Sequence, residues 1–333
     1  MTRRIVFVTG GAGFIGSNIA ARLAEDRHLD VVVCDRLRQA DAGKWRNLAK
    51  HPLGDFVQPE EMWDWLEKRW RDVELVIHTA AISSTLESDA DKIVSTNFGL
   101  SRDLFRWCAD RQRRMIYASS AATYGDGSQG FDDSQEWEAL AALRPLNAYG
   151  WSKALFDVFA VRQAARGYAP PQWAGLKFFN VYGPNEEHKG VMRSVASQIW
   201  PDVAAGRTVK LFRSYHPDYP HGGQKRDFVY VRDVVDVVAW LHRNEAVNGV
   251  FNLGSGQARS FRELAEALFA AAGQQPRIEY IEMPKALRER YQYFTEARTD
   301  RLRQAGYAPP MTSLEDGVGD YVSNYLSQAD PYR

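Results

Sequence analysis

The chain has 333 residues, of which 42 are basic and 42 acidic, so its formal net charge at neutral pH is zero. This balance gives no bulk electrostatic reason to expect nucleic acid or an anionic membrane as a partner, and it favours a small molecule instead. A chain of this length exceeds the usual size of one compact core, which predicts one large α/β domain with a smaller companion.

The first half of the chain alternates short runs of β-branched residues with helical stretches. Strands are predicted at residues 4–10, 30–35, 75–80 and 114–120, and helices from about residue 17, near 60–70 and near 92–110. This rhythm is typical of βαβ units in a parallel sheet. The strands are rich in Val and Ile without polar alternation, which favours a sheet that is covered on both faces.

The second half of the chain adds further elements and a second domain. A helix is predicted from about Tyr149, then a strand at 173–183 and final elements at 227–241 and 249–255. We expect one domain formed by residues 1–180 with 227–253, and a smaller one formed by 181–226 with 254–333. Residues 215–225, YHPDYPHGGQK, are interpreted as a surface insertion near the smaller domain.

Cysteine content and apolar runs predict the compartment. Cys34 and Cys108 are the two cysteines, one in a predicted buried strand and one in a predicted helix, so a disulfide framework is not expected. The N-terminal residues show no apolar stretch with a small-residue cleavage site, and no later apolar run approaches about 18 residues. We therefore expect a soluble, cytoplasmic protein with no membrane partner.

A glycine-rich turn, TGGAGFIG at residues 9–16, follows the first predicted strand. In such a turn Gly10 permits the tight bend, Gly13 lets a pyrophosphate approach the backbone, and Gly16 lets the helix pack on the strand. Glycine turns also occur as plain connections between strands and helices. Here Asp35 ends the second predicted strand about 20 residues further on, where a carboxylate can bind an adenosine ribose. Together these features predict a dinucleotide site.

The nature of the dinucleotide depends on the charges next to that carboxylate. Asp35 favours the free 2′-hydroxyl of NAD, whereas Arg36, Arg38 and Lys44 could neutralise the 2′-phosphate of NADP. The three cations favour NADP, with NAD as the alternative. Charge clusters of this kind are also common as solvated loop residues. No metal is expected.

The segment YGWSK places Tyr149 and Lys153 four positions apart, so on a helix they share one face. A tyrosine is a poor base at neutral pH unless a nearby positive charge stabilises its phenolate. Taken alone, the pair favours an aromatic packed beside a solvated lysine. The glycine turn and the strand-end serines Ser119 and Ser120, about 30 residues earlier, favour a catalytic pair instead.

These motifs resemble the extended short-chain dehydrogenase/reductase superfamily. Its members share T-G-x-x-G-x-x-G, a strand-end serine or threonine, and Y-x-x-x-K. The resemblance implies an α/β fold with a Rossmann-type doubly wound parallel sheet and a smaller C-terminal α/β substrate lobe. It also implies that Ser120 polarises the substrate, that Tyr149 is its acid or base, and that Lys153 binds the nicotinamide ribose and lowers the tyrosine pKa.

The segments PLNAYGWSK, FFNVYGPNEEHKG, KRDFVYVRDV and FNLGSGQARSF are similar to one family within that superfamily, the ADP-L-glycero-D-manno-heptose 6-epimerases. Those enzymes supply heptose for the lipopolysaccharide core and commonly form homo-oligomers. The resemblance implies epimerisation at C6 of ADP-heptose by transient hydride transfer to bound NADP. It assigns Lys189 as a second acid or base opposite Tyr149, although the residue pattern alone would make Lys189 a loop lysine.

The same resemblance implies the binding residues. It assigns to the cofactor Gly10, Gly13, Phe14, Ile15, Gly16, Asp35, Arg36, Lys44, Thr79, Ala80, Ala81, Ser83, Thr96, Asn97, Lys153 and Val181. It assigns to the substrate Ser83, Ser120, Asn180, Lys189, Phe212, Arg226 and Tyr291. Several have other interpretations: Asn97 as a structural residue, Phe212 and Tyr291 as core aromatics, and Arg226 as a member of a surface ion pair with Asp227 or another carboxylate.

Two other functions remain open, a UDP-hexose 4-epimerase and a non-catalytic sensor, and a third, a 4,6-dehydratase, is set aside. A UDP-hexose 4-epimerase would share the fold and the Ser120, Tyr149 and Lys153 group, but it would not need Lys189. A 4,6-dehydratase should carry an Asp-Glu pair after the strand-end serine, where this chain has Ala121 and Ala122. A non-catalytic dinucleotide sensor could keep the glycine turn, but such proteins often lose the tyrosine or the lysine.

Overall fold

The computed structural model of the protein describes residues 4–38, 43–84, 87–288 and 291–333. Its strands are β1 (Arg4–Thr9), β2 (Leu29–Cys34), β3 (Asp55–Val57), β4 (Val73–His78), β5 (Arg114–Ser120), β6 (Trp173–Phe178), β7 (Asn180–Tyr182), β8 (Val209–Phe212), β9 (Lys225–Tyr230), β10 (Gly249–Leu253), β11 (Ala258–Ser260) and β12 (Ile278–Ile281). Seven of them form one sheet in the order β10-β6-β5-β4-β1-β2-β3. All neighbours in it pair in parallel.

The α-helices are α1 (Phe14–Ala24), α2 (Met62–Arg69), α3 (Ala90–Ile93), α4 (Leu100–Asp110), α5 (Trp137–Ala142), α6 (Ala148–Ala165), α7 (Val195–Ala204), α8 (Val231–Arg243), α9 (Phe261–Ala271), α10 (Lys285–Arg288), α11 (Asp300–Gln304) and α12 (Leu314–Tyr321). Short 3₁₀ turns cover Lys44–Asn47, Ala121–Tyr124 and Glu187–Met192, and π-helical turns cover Val94–Gly99 and Val322–Leu326. No helix in the described ranges is both long and apolar enough to cross a membrane.

Helices cover both faces of the seven-stranded sheet, because successive residues of its strands point in opposite directions. On β1, Val6 and Val8 join a buried cluster with residues of α1 and α8. Ile5 and Phe7 join a second cluster on the other face, with residues of α4 and α6. The predicted α/β fold with a Rossmann-type doubly wound parallel sheet is therefore confirmed.

A smaller set of elements lies at the carboxyl end of this sheet. Strand β9 pairs in parallel with β7 and antiparallel with β11, and β8 pairs in parallel with β12. With α7, α9 and α12 they enclose a third hydrophobic cluster. Residues 227–230, in β9, therefore belong to the three-stranded sheet β11-β9-β7, while α8 and β10 pack with the seven-stranded sheet. The division into two domains remains a prediction.

Several predicted elements have different bounds in the structure. Helix α1 begins at Phe14, earlier than expected, directly after the glycine turn. The predicted strand at 173–183 is two strands that belong to different sheets, and residues 227–241 form the end of β9 and most of α8. Strand β3 has no counterpart among the predicted elements. It has only three residues, and just one of them is buried, so it lacks the apolar run by which the other strands are predicted.

Candidate active site

One cleft of about 900 Å³ opens where the parallel strands end. Thr9, Cys34 and Ser120 line it from the carboxyl ends of β1, β2 and β5, and Phe178 lines it from the end of β6. In open α/β sheets this edge is where ligands bind, because the connecting loops diverge there and leave a crevice. The smaller set of elements forms the opposite wall through Phe228 and other residues.

The glycine turn and the start of α1 form one end of the cleft. Gly10 has φ of +69°, and a Cβ there would lie 2.5 Å from the backbone nitrogen of Ala80. Gly13 caps α1 without a side-chain hydrogen bond, and the first turn of the helix carries no acidic residue. Free backbone N–H groups and the positive end of the helix dipole therefore face the cleft, which fits the diphosphate of a dinucleotide.

Gly16 is expected to tolerate no larger residue. A Cβ at this position would lie 2.3 Å from the carbonyl oxygen of Gly10 and 2.7 Å from Oγ1 of Thr79. We predict that Gly16→Ala lowers the free energy of unfolding by about 1–3 kcal/mol, the usual cost of overpacking, and weakens dinucleotide binding. Chemical denaturation and a cofactor titration test this.

The matched control is Gly319→Ala in α12. A Cβ there meets no heavy atom within 4 Å, so the free energy of unfolding should stay the same or rise. Equal behaviour of the two variants would contradict the close packing of the turn.

Asp35 lies at the end of the cleft that the glycine turn forms. Its Oδ2 accepts a hydrogen bond from the backbone N–H of Ala12 at 2.9 Å, which ties it to the glycine turn. Its Oδ1 is 2.8 Å from Nζ of Lys44. Arg36 pairs with Glu60 through its Nε and Nη2 atoms, at 3.0 and 2.5 Å. Arg36 and Lys44 are therefore both already engaged with carboxylates.

The catalytic group predicted from the YGWSK segment lies on α6 and at the end of β5. The side chain of Asn147 caps α6 by accepting a hydrogen bond from the N–H of Gly150 at 2.8 Å, so Tyr149 lies in the first turn. Lys153 lies one turn later on the same face, and its Nζ donates a 2.8 Å hydrogen bond to the carbonyl oxygen of Ala118. Ser120, Tyr149 and Lys153 all line the cleft.

Burial shifts the pKa of both residues on α6. Burial raises the pKa of Tyr149, and a hydrogen bond with Ser120 opposes the rise. Burial also lowers the pKa of Lys153 to about 8, against the opposing charge of Asp157. The lowered tyrosine pKa that the family resemblance implies is therefore not produced by the protein groups alone. It requires a further positive charge in the cleft, which an oxidised nicotinamide would supply.

Lys189 lines the same cleft from the side of the smaller elements. It lies in the 3₁₀ turn after β7, and its Nζ is 5.0 Å from the centre of the Phe14 ring at the start of α1. Burial lowers its pKa, and the carboxylate of Glu186 opposes that effect. A partly desolvated amine can exchange a proton near neutral pH more readily than a solvated one.

Most of the predicted site residues meet in this cleft. Those that line it are Gly10, Gly13, Phe14, Ile15, Gly16, Asp35, Arg36, Lys44, Thr79, Ala80, Ala81, Ser83, Thr96, Ser120, Tyr149, Lys153, Asn180, Val181 and Lys189. Four predicted residues lie outside its lining: Asn97, Phe212, Arg226 and Tyr291. The functional roles of all of them remain predictions.

Asn97 is buried and holds two elements together. Its Oδ1 accepts from the N–H of Ile82 at 2.8 Å, and its Nδ2 donates to the carbonyl oxygen of Ile82 and to Oγ of Ser152. These bonds position the loop after β4, whose residues 79–83 line the cleft, against α6. The structural interpretation of Asn97 accounts for all of these contacts.

Arg226 lies behind the cleft wall. It is 9% exposed, and its guanidinium faces the rings of Phe261 and Tyr291 at 5.6 and 5.3 Å. The alternative interpretation, a surface ion pair with Asp227 or another carboxylate, does not fit, because both Arg226 and Asp227 are buried. The carboxylate of Asp227 instead accepts hydrogen bonds from backbone N–H groups, among them that of Ser255 at 2.6 Å.

The predicted insertion packs against this region. The rings of His216 and Tyr219 lie 5.2 and 5.3 Å from that of Tyr293, which in turn contacts Tyr291. Phe212, at the end of β8, accepts a backbone hydrogen bond from Gly222 of the insertion. Residues 215–225 therefore extend an aromatic cluster outward from the Arg226 side of the cleft.

Sequence reasoning missed several apolar residues of the cleft wall. They include Phe178, Phe179, Phe228, Phe261 and Leu264. Each lies in or beside a strand or helix whose apolar pattern is equally consistent with burial in the core. Only the meeting of β6, β9 and α9 places these side chains on one wall, and no local pattern predicts that contact.

Comparisons with known proteins agree with this geometry. The sequence model of the NAD dependent epimerase/dehydratase family matches residues 6–254. The chain is 48% identical over 328 residues to the ADP-L-glycero-D-manno-heptose-6-epimerase of Nitratidesulfovibrio vulgaris, and the match covers 98% of this chain and 99% of that protein.

Two crystal structures share the fold. The ADP-L-glycero-D-manno-heptose-6-epimerase of Helicobacter pylori superposes with a TM-score of 0.79 and 29% identity, covering 97% of this chain and 96% of that chain. The UDP-glucose 4-epimerase of Thermus thermophilus, in complex with NAD, has a TM-score of 0.72 and 28% identity, covering 95% and 96%. The resemblance predicted from the sequence motifs is thus confirmed: the chain belongs to the NAD dependent epimerase/dehydratase family and, within it, to the ADP-L-glycero-D-manno-heptose-6-epimerases.

Proposed function

We propose that this chain converts ADP-D-glycero-D-manno-heptose into ADP-L-glycero-D-manno-heptose by inverting C6. The observation that carries the proposal is that Tyr149 and Lys189, from different elements, line one cleft together with the glycine turn. A phenol and an amine in one site suit a reaction in which the oxygen on C6 needs a proton partner in two orientations. The names of the relatives support the identity of the sugar.

In this proposal the side chains of the protein manage the proton of the C6 hydroxyl. A bound nicotinamide supplies a hydride acceptor that is regenerated within each turnover. Tyr149 exchanges the hydroxyl proton in one orientation of the sugar, with Ser120 hydrogen-bonded to the same oxygen. Lys189 exchanges it in the other orientation, after the sugar has turned. Lys153, one turn after Tyr149 on α6, is proposed to supply a positive charge on the same face, and burial lowers its pKa to about 8.

We propose NADP as the cofactor, with NAD as the alternative. Support comes from a cavity of about 350 Å³ next to Asp35, lined by Arg36, Arg38 and Gln58 among others. Arg38 lines both this cavity and the main cleft. Asp35 and Glu60 also line this cavity and Arg36 is paired with Glu60, so Arg38 is the guanidinium that we propose binds a 2′-phosphate on the adenosine ribose. The Lys44 pair with Asp35 leaves the carboxylate partly neutralised, which reduces its repulsion of a phosphate.

Arg38→Ala is predicted to weaken NADP binding by about 10- to 100-fold, the loss of one charge-assisted hydrogen bond, and to leave NAD binding nearly unchanged. Calorimetric titration of the cofactor-free protein with both dinucleotides measures this. Arg69→Ala, at an exposed ion pair on α2, serves as the control. An equal effect of Arg38→Ala on both cofactors, or a native protein that prefers NAD, would favour the alternative.

The test of the proposed activity is direct. The purified protein is incubated with ADP-D-glycero-D-manno-heptose, and the two C6 epimers are resolved by NMR. We expect a mixture of both epimers and no conversion of UDP-glucose. Conversion of UDP-glucose would favour a 4-epimerase, and bound cofactor without any turnover would favour a sensor.

The remaining expectations belong to the same proposal. Phe212, Arg226 and Tyr291 are proposed to contact the nucleotide end of the sugar, where Arg226 can grip a diphosphate in a bidentate manner. Arg226 lies beside Phe261, which lines the cleft.

We further propose a cytoplasmic homo-oligomer with two domains. Gel filtration with light scattering would test the subunit number.

A further inference from the structure

Glu186 is a buried carboxylate three residues before Lys189, and it is fully inaccessible to solvent. Its Oε2 accepts a hydrogen bond from the N–H of Ser194 and its Oε1 accepts one from the Ser194 hydroxyl, both at 2.5 Å. The hydroxyl of Tyr321, in α12, donates to Oε1 at 3.2 Å. Three donors from two residues therefore hold this carboxylate in one orientation.

The local backbone directs Glu186 and Lys189 to the same side. Glu186 caps the 3₁₀ turn that contains Lys189, and the N–H of Lys189 donates to the carbonyl oxygen of Glu186 at 3.0 Å. In a 3₁₀ turn, side chains three positions apart eclipse one another. The Phe14 ring also lies beside the amine, 5.0 Å from Nζ. The turn therefore places the Glu186 side chain on the side that carries Lys189, and the Phe14 ring lies beside the amine.

The other charged groups nearby are already paired or lie elsewhere in the cleft. Glu187 forms an ion pair with Arg193 at 2.9 Å on the same turn. His188 is 3.2 Å from the side chain of Asn47. Tyr149 and Lys153 face the cleft from α6.

Burial acts in opposite directions on the two groups. Burial raises the pKa of Glu186, and the charge of Lys189 and the Ser194 donors oppose only part of that rise. Burial lowers the pKa of Lys189, and the charge of Glu186 opposes only part of that lowering. Each group therefore favours the charged form of the other. Removing the negative charge should leave the amine easier to deprotonate.

We propose that Glu186 is a positioning residue for proton transfer: its buried carboxylate keeps Lys189 protonated and oriented toward the cleft. This inference rests on the proposed epimerase function. The Ser194 and Tyr321 donors make the carboxylate available as a fixed charge, since they satisfy its oxygens without neutralising it.

Proton accounting explains why such a charge is useful. In one direction of the reaction, Tyr149 begins as phenolate and gains the proton of the substrate hydroxyl, while Lys189 begins as ammonium and gives a proton to the product oxygen. At the end the phenol is protonated and the amine is neutral. Before the next turnover one proton must pass from Tyr149 to Lys189. A carboxylate beside Lys189 favours that return.

The test is the pH dependence of kcat/KM for Glu186→Gln, measured from each epimer. The amide keeps the size of the side chain and can still accept from Ser194. We expect the limb of the bell-shaped profile that reports Lys189 to move about one unit to lower pH, as for loss of a nearby opposite charge. The limb that reports Tyr149 should stay in place. A lower rate with both limbs unmoved would mean a purely structural role and would overturn the proposal.

Glu187→Gln is the matched control, because it removes the same charge from the same turn, at a carboxylate that is paired with Arg193. Its profile should match that of the native protein. An equal shift in this control would overturn the proposal, since any nearby negative charge would then suffice.

Tyr321→Phe provides a second test of the role of Glu186 if Glu186→Gln does not fold. Loss of the donated hydrogen bond makes Glu186 easier to protonate, so the same limb should move in the same direction by a smaller amount. A Tyr321→Phe profile identical to the native one would contradict the proposal. A native protein that does not epimerise ADP-heptose would refute the proposed function itself, which separates the two outcomes.

Discussion

Tyr149→Phe should lower epimerase turnover by about 10²- to 10⁴-fold, the range expected for loss of a general acid–base group. The ring remains to fill its place in the first turn of α6, so folding and cofactor binding should persist. The loss should be specific to this hydroxyl. Among the described residues that line the cleft, no other tyrosine lies on the face of α6 that carries Lys153. Steady-state rates with ADP-heptose, together with a cofactor titration of the same preparation, measure both effects.

A second tyrosine provides the control for this prediction. Tyr168 lies outside the cleft lining and donates a hydrogen bond to Asp110 at 2.8 Å. Tyr168→Phe removes the same hydroxyl and should leave turnover near the native value. If Tyr149→Phe keeps substantial activity while its cofactor site is intact, Tyr149 is not the acid or base.

Lys189→Met is expected to abolish epimerisation but to leave the oxidation of one epimer. Methionine retains an unbranched apolar chain that can pack against Phe14, while the proton-exchanging amine is lost. Oxidation of the epimer whose proton goes to Tyr149 remains possible, so mixing that epimer with the variant should produce some reduced nicotinamide. Absorbance of the reduced cofactor and NMR of the sugar follow the two parts separately.

Lys210→Met serves as the control for Lys189→Met, because Lys210 is an exposed residue of β8 outside the cleft lining. It should epimerise at the native rate. Normal epimerisation by Lys189→Met would contradict the two-group scheme and would leave a single-tyrosine mechanism of the 4-epimerase kind.

The large sheet can be predicted because its information is local. Runs such as Val31 to Val33 are apolar on consecutive positions, which in so short a span favours a strand covered on both faces. The second sheet cannot be predicted in the same way. Strands β7 and β11 have three residues each, and both depend on pairing with β9. Such pairing reflects distant contacts rather than local propensity.

The candidate site likewise contains residues that local sequence predicts and residues whose positions depend on distant contacts. Tyr149 and Lys153 share a face by helix geometry, and the glycine turn is recognisable by its spacing. The role of Lys189 follows from family resemblance alone, because its position depends on how the turn after β7 packs against α1 and α12. Glu186 is not recognisable in the sequence for the same reason: a glutamate beside a second glutamate in a loop looks solvated, and only the three donors around it reveal a buried charge.

Retention of the C6 hydrogen is the most direct measurement of the central claim, that the protein inverts C6 by moving a hydride and handles only the hydroxyl proton with its own side chains. ADP-D-glycero-D-manno-heptose is incubated with the protein in D₂O and the sugar is followed by proton NMR. We predict that the L epimer forms with ordinary hydrogen at C6. Deuterium at C6 of the product, or no inversion at all, would contradict the account.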